Sequence, residues 1–150
     1  MENLLNEIIE SFRETSSKNI LINLEDNKNK FEFQRSPELI YGLRNFIGNA
    51  VKFSKSVVEI KVKSNSQYLE VLINDDGPGF PEDVKEILGE PYIKSKSKVV
   101  DSNAGTGLGT FLGKTFLERK LAKLSFLKDN TLGGASVKII WNIKDLELNV

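Results

Sequence analysis

Asn45, Asn49 and Lys52 stand at helical spacing, followed by two glycine-rich strings, Asp75-Asp76-Gly77-Pro78-Gly79-Phe80 and Gly105-Thr106-Gly107-Leu108-Gly109. On a helix the three side chains fall within about 60° of one another, roughly opposite an apolar stripe. Asparagine oxygens can bind magnesium directly or through water, and a lysine ammonium neutralises phosphate. Asp75 lies at a strand end, where a backbone without side chains bends away. Its carboxylate can accept a hydrogen bond from an exocyclic amine. Gly77 and Gly79 let a flat ring approach the main chain, and Phe80 can pack against that ring. The second string leads into a helix, where free N–H groups and the helix dipole favour phosphate. Each feature alone has a plainer reading: a solvated helix face, a tight turn, a flexible hinge. Together, in this order and in one small domain, they make a candidate site for a nucleotide and its magnesium ion.

The elements that must hold these residues can be read from periodicity. Leu4, Leu5, Ile8, Ile9 and Phe12 recur at helical spacing and predict an amphipathic first helix. Residues 19–25 alternate as a strand through Ile20, Ile22 and Leu24, and 31–33 could pair back onto it. Ser36-Pro37 is a helix start, with Ser36 as N-cap and Pro37 at the first helical position. Leu39, Leu43, Phe46, Ile47 and Ala50 then form the core stripe of a helix running to about Phe53. Residues 57–63 and 68–74 read as a hairpin. A short helix is predicted over 82–88 and a Lys-rich, glycine-containing loop over 89–104. A helix over 110–121 and strands over 123–128 and 135–143, joined by a turn at 129–134, close the chain. This order suggests an α+β sandwich with helices on one sheet face. There are no repeats and no domain boundary, so residues 1–150 read as one domain.

Composition narrows the chemistry. The chain has 150 residues, 39% hydrophobic and 28% charged, enough for a real core. Lys+Arg and Asp+Glu are both 21, so no basic excess points to nucleic acid. With no cysteine and no histidine, disulfides, thiolate zinc sites, Cys–His dyads and Ser-His-Asp triads are excluded. No apolar run approaches the roughly 20 residues of a membrane span, and no signal peptide is visible, so a cytoplasmic domain is expected. A Walker A loop ending at Gly113-Lys114-Thr115 would need glycine at 108, where Leu108 stands. A dinucleotide fingerprint from Gly105 puts its third glycine on Thr110, with no strand before it. The adjacent carboxylates Asp75 and Asp76 point apart at a strand end and make a poor glycosidase pair.

At this point the residues resemble a family. Asn45-Phe46-Ile47-Gly48-Asn49-Ala50-Val51-Lys52-Phe53 resembles the N box of sensor histidine kinases, and 75–80 their G1 box. Glu90-Pro91-Tyr92 is similar to the F box, 105–109 to the G2 box, and Leu132-Gly133-Gly134-Ala135 to the final glycine turn. The match covers nearly the whole chain and points to the GHKL ATPase superfamily. Residues 110–119, with Gly134-Ala135 before Trp141, further resemble RegB-type redox-responding kinases. The resemblance implies a Bergerat-type two-layer α/β sandwich: a mixed, mostly antiparallel sheet with about three helices on one face. It also implies that Asn49 holds magnesium with help from Asn45, Lys52 contacts phosphate beside Phe53, and Asp75 binds the adenine amine. Gly105, Thr106, Gly107, Leu108 and Gly109 would wrap the triphosphate of ATP under a Lys-rich lid carrying Lys94, Lys96 and Lys98.

Two departures from the family pattern stand out. Ala135 occupies the place where a threonine often supports the adenine-binding aspartate, with Ser136 one step on, which puts that contact in question. Asn45 stands where gyrase-type and chaperone-type ATPases, and serine kinases, carry a glutamate that activates water or a hydroxyl. A histidine acceptor is already nucleophilic and needs positioning and charge neutralisation more than a strong base. The resemblance therefore implies the catalytic domain of a sensor histidine kinase. Its partners would be a histidine-bearing dimerisation domain of the same protein and a response regulator, with residues 1–18 as a possible junction helix. The chain alone should bind ATP without autophosphorylating. The alternatives are another GHKL ATPase or serine kinase, or a degenerate domain that binds partners without nucleotide.

Overall fold

The helix carrying the three candidate side chains forms for local reasons. In the computed structural model, which describes residues 1–25, 33–79, 108–127 and 132–147, it spans Pro37–Phe53 (α2). Ser36 is extended at its start, and its hydroxyl accepts the Leu39 N–H at 3.2 Å. Pro37 sits in the first turn, Glu38 faces the positive end of the helix dipole and Lys52 the negative end. Leu39, Leu43, Phe46, Ile47, Ala50 and Val51 are buried along one side. Each large apolar side chain among them contributes roughly 1.5–3 kcal/mol by leaving water.

The first helix, Glu2–Arg13 (α1), buries Leu4, Leu5, Ile8 and Ile9 in the same core. Strand Asn19–Glu25 (β1) follows, then α2, then the hairpin of Val57–Ser64 (β2) and Tyr68–Asp75 (β3). Asn65 Oδ1 closes that hairpin by accepting the N–H groups of Gln67 at 2.7 Å and Tyr68 at 2.8 Å. Helix Leu108–Arg119 (α3), strands Lys123–Leu127 (β4) and Ser136–Asn142 (β5), and a short helix Ile143–Glu147 (α4) complete the described elements. The sheet order is β1-β2-β3-β5-β4, with β1 parallel to β2 and the other neighbours antiparallel. This is the mixed, mostly antiparallel α+β arrangement that the sequence leads one to expect.

Register explains the layering. Ile20, Val58, Ile73 and Val137 lie on the helix-covered face, as do Val62, Val71 and Ile139. Between them point residues such as Glu70 and Lys138, which pair at 3.3 Å on the other face. Phe46 of α2 meets Phe126 of β4 with ring centroids 5.9 Å apart, tying the helix layer to the sheet.

Three elements differ in extent from the sequence reading. Helix α3 begins at Leu108 rather than 110, so the last two residues of the second glycine string already form its first turn. The last strand stops at Asn142, because α4 takes over at Ile143 and buries Ile143 and Leu146. Phe33 lies outside any strand. The helix expected over 82–88, the loop over 89–104, Phe80, the Glu90-Pro91-Tyr92 string and Gly105 to Gly107 lie outside the described residues.

Candidate functional site

The C-terminal end of α2 meets the end of β3, and the candidate residues gather at that junction. Asp75 closes β3 at 7% exposure. Its Oδ1 accepts the Gly77 N–H at 2.8 Å and the Ala135 N–H at 3.3 Å. Burial pushes its carboxyl above the ordinary range, an effect the two N–H groups offset in part. The carboxylate is thus fixed in direction by the backbone and short of solvation. That is the condition of an acceptor suited to a donor brought in by a ligand.

Two glycines make this position possible. A Cβ at Gly134 would fall 2.5 Å from Asp75 Oδ1 and 2.4 Å from the Asp75 carbonyl oxygen. A Cβ at Gly77 would fall 2.3 Å from the Phe53 carbonyl oxygen. On the side where a side chain would project, the last residue of α2 takes the space beside Gly77. Gly77 therefore joins the helix end to the Asp75 turn. Gly79 has φ +85, and among the described residues nothing lies within 4 Å of where its Cβ would be.

Ala135 supports Asp75 in a different way from a threonine. Its N–H reaches Oδ1, and its carbonyl accepts the Asp75 N–H at 3.0 Å. The backbone supplies the contact that the missing threonine leaves in question. The Ser136 hydroxyl instead donates to Asn74 Oδ1 at 2.6 Å.

Asp76 turns the other way, as expected of adjacent strand residues. Its carboxylate accepts the N–H groups of Lys55 at 2.7 Å, Ser56 at 3.0 Å and Val57 at 3.2 Å, and the Ser56 hydroxyl at 2.9 Å. Slight burial pushes its carboxyl up, but these donors outweigh it and hold the pKa at about 2. Asp76 is the clamp on the turn between α2 and β2.

On α2, Asn45 and Asn49 are half-buried and Lys52 and Phe53 exposed. The Asn49 amide nitrogen donates to Asn45 Oδ1 at 3.4 Å. Asn45 is also covered: a Cβ on Gly113 of α3 would lie 2.9 Å from its Oδ1. A solvated face is therefore not what the structure shows at Asn45, since α3 packs across it. The Lys52 ammonium sits 5.3 Å from the centroid of the Phe53 ring. Leu108 and Gly109 lie in the first turn of α3, where N–H groups lack intrahelical acceptors.

The donor set suits a metal only in company with phosphate. Among the described residues no group of three or more His, Cys, Asp or Glu could hold an ion. Magnesium accepts one or two protein oxygens when phosphates fill other positions, and an asparagine amide oxygen is chemically of that kind; the Asn49 amide is oriented by Asn45.

Sequence reasoning missed Lys18. Its ammonium donates to the carbonyls of Val51 at 2.8 Å, Lys52 at 3.3 Å and Ser54 at 2.5 Å. A lysine just before a strand gives no periodic signal of this role.

A model of the histidine kinase-, DNA gyrase B- and HSP90-like ATPase family matches residues 34–144, and the chain belongs to that family. The sensor histidine kinase RegB of Cereibacter sphaeroides is similar, with 36% identity over 127 residues covering 75% of this chain. The chain spans only 28% of that relative's length. The catalytic domain of the histidine kinase ThkA, in a nucleotide-free form, superposes with a TM-score of 0.75 at 18% identity, covering 97% of this chain and 95% of that one. A mycobacterial sensor histidine kinase, MprB, gives 0.72 at 19% identity over 95% of both chains. The fold is that of histidine kinase catalytic domains. No described helix is long and apolar enough to cross a membrane.

Proposed function

We propose that this chain is the ATP-binding catalytic domain of a sensor histidine kinase. One observation carries the reading: the buried Asp75 carboxylate, held by the Gly77 and Ala135 N–H groups beside the helix end that bears Lys52 and Phe53. An adenine amine is a donor such a fixed acceptor selects, because a base presenting a carbonyl there would set oxygen against oxygen.

In this reading Asn49 offers its amide oxygen to magnesium and Asn45 orients it. Magnesium, when bound, would neutralise phosphate charge. Lys52 contacts phosphate, and the first turn of α3 with the string before it lines the triphosphate. Asn45 lacks the carboxylate needed to activate water, so the site holds and orients the γ-phosphate rather than hydrolysing it. The chain has no histidine, so the acceptor lies on a separate histidine-bearing domain, and a response regulator takes the phosphoryl group onward. An ATP-dependent domain of this kind works in the cytoplasm.

Calorimetric titration tests this directly. Wild type should bind Mg·ATP saturably and prefer it to Mg·GTP, and Asp75→Asn should lose that preference. Absence of saturable ATP binding would refute the proposal. Steady-state ATP hydrolysis by the chain alone would move the assignment to the hydrolase branch.

A further inference from the structure

We infer that Lys18 is a positioning residue of the nucleotide site, fixing the last turn of α2 against the Asp75 turn by gathering the Val51, Lys52 and Ser54 carbonyls. The inference rests on the nucleotide reading of that site. The final carbonyls of a helix have no intrahelical partner and carry the negative end of its dipole. Many helices end in a glycine of positive φ that turns the chain and satisfies those carbonyls. Here the C-cap is Ser54 in extended conformation (φ −66, ψ 155); its N–H takes the Ala50 carbonyl and its hydroxyl donates to the Val51 carbonyl at 3.0 Å, and the Lys18 ammonium joins it at Val51 and takes the Lys52 and Ser54 carbonyls.

Lys18 acts from a fixed base. Its own N–H donates to Ser16 Oγ at 3.1 Å, and the next residue, Asn19, donates to the Ser56 carbonyl at 2.8 Å. The turn from Ser54 to Val57 is thus held from two sides. The Lys18 ammonium takes the Ser54 carbonyl, and the Asp76 carboxylate takes the N–H groups of Lys55, Ser56 and Val57. Between these two clamps the Phe53 carbonyl presses on Gly77, two residues beyond Asp75. The Lys18 charge also acts on Asp75, favouring its ionised form. Removing Lys18 should therefore loosen the helix end from the turn that reads the base, without removing any group that touches phosphate.

An ordinary helix cap would change stability alone, so the test reads nucleotide affinity in folded protein. Wild type, Lys18→Met and Lys18→Arg are titrated with Mg·ATP and with adenosine, with folding checked by circular dichroism. Lys18→Met should weaken both ligands by a similar factor, about tenfold, and Lys18→Arg should restore both. If Lys18→Met fails to fold, Lys18→Gln, which keeps one amide donor for a carbonyl, takes its place. Unchanged affinities in the neutral variant would overturn the inference, as would a loss confined to ATP, which would make Lys18 a phosphate-charge residue. Wild type that binds neither ligand would instead overturn the nucleotide site itself.

Discussion

Replacing Gly134 with alanine adds one carbon and should dislodge Asp75, the residue proposed to read the base. Its Cβ would fall 2.4 Å from the Asp75 carbonyl oxygen, 2.5 Å from Asp75 Oδ1 and 2.7 Å from the Gly77 nitrogen. Two of these are backbone atoms, so no change of rotamer relieves them. Relief requires the β3 end and the turn before β5 to separate. That separation strains the Asp75 N–H bond to the Ala135 carbonyl at 3.0 Å, and the Oδ1 bonds to Gly77 and Ala135. Overpacking costs about 1–3 kcal/mol, and a lost hydrogen bond to a charged acceptor about 1.5–3 kcal/mol more. Partial relaxation brings the sum to about 3 kcal/mol, which lowers Tm by about 6–12 °C in a chain of this length. Gly133→Ala is the matched control. Gly133 has φ +90 and open space around its would-be Cβ, so its cost is backbone strain alone, about 1–2 kcal/mol. Thermal melts of both variants followed by circular dichroism, with Mg·ATP titrations below the melting range, separate clash from strain. If Gly134→Ala melts with Gly133→Ala and keeps wild-type affinity, the packing argument around Asp75 is wrong.

Asp76→Ala should cost about 1 kcal/mol at neutral pH after solvent screening is allowed for. Its folded pKa is depressed from 3.8 to about 2, so the wild-type advantage is present above the unfolded value and lost as pH falls toward 2. Denaturant melts between pH 7 and 2 should show the two proteins converging at the acid end. Asp75 is shifted the other way: its protonation favours the folded state at low pH, and that contribution is lost as pH rises through its raised pKa. Adenine-nucleotide affinity should accordingly fall on acidification, beginning above the ordinary carboxylate range, and an affinity flat across that range would argue against Asp75 as the amine acceptor. Gly113→Ala should push on Asn45 Oδ1, 2.9 Å from the added carbon, and disturb the Asn49 amide with it. The expected reading is a magnesium-dependent part of ATP affinity weakened about tenfold, with the magnesium-independent part unchanged.

Much of this was legible because periodicity and capping are local. The Ser36-Pro37 start, the α2 stripe and the strand alternations are short-range signals, and α2 and the β2–β3 hairpin stand where they placed them to within a residue. The strings around Asn49 and Asp75 were legible as motifs, since chemistry constrained residue type as well as spacing. What failed to show was tertiary. Nothing in the string Asp75-Asp76-Gly77 says that Gly77 makes room for the Phe53 carbonyl. Nothing around Gly113 says that it makes room for Asn45, because that requires α3 to cross α2 at close range. Ala135 looked like a missing support because side-chain type was the only thing visible. The support came from a main-chain N–H that every residue except proline carries.

The adjacent aspartates show how far one strand end can divide two identical side chains. Successive strand residues face opposite sides, so Asp75 and Asp76 meet different surroundings. Asp75 turns inward, loses water and gains two N–H donors, and its charge becomes unfavourable. Asp76 turns toward the α2–β2 turn, stays partly exposed and gains donors from three successive backbone positions, and its charge becomes favourable. The first is held by two N–H groups at the end of β3, the second by the turn that follows α2. Since Asp76 holds the turn that follows Phe53, and the Phe53 carbonyl lies against Gly77, Asp76 fixes the helix end that walls Asp75. Loss of Asp76 should therefore reach nucleotide affinity as well as stability, and the pH at which binding fails should still follow Asp75.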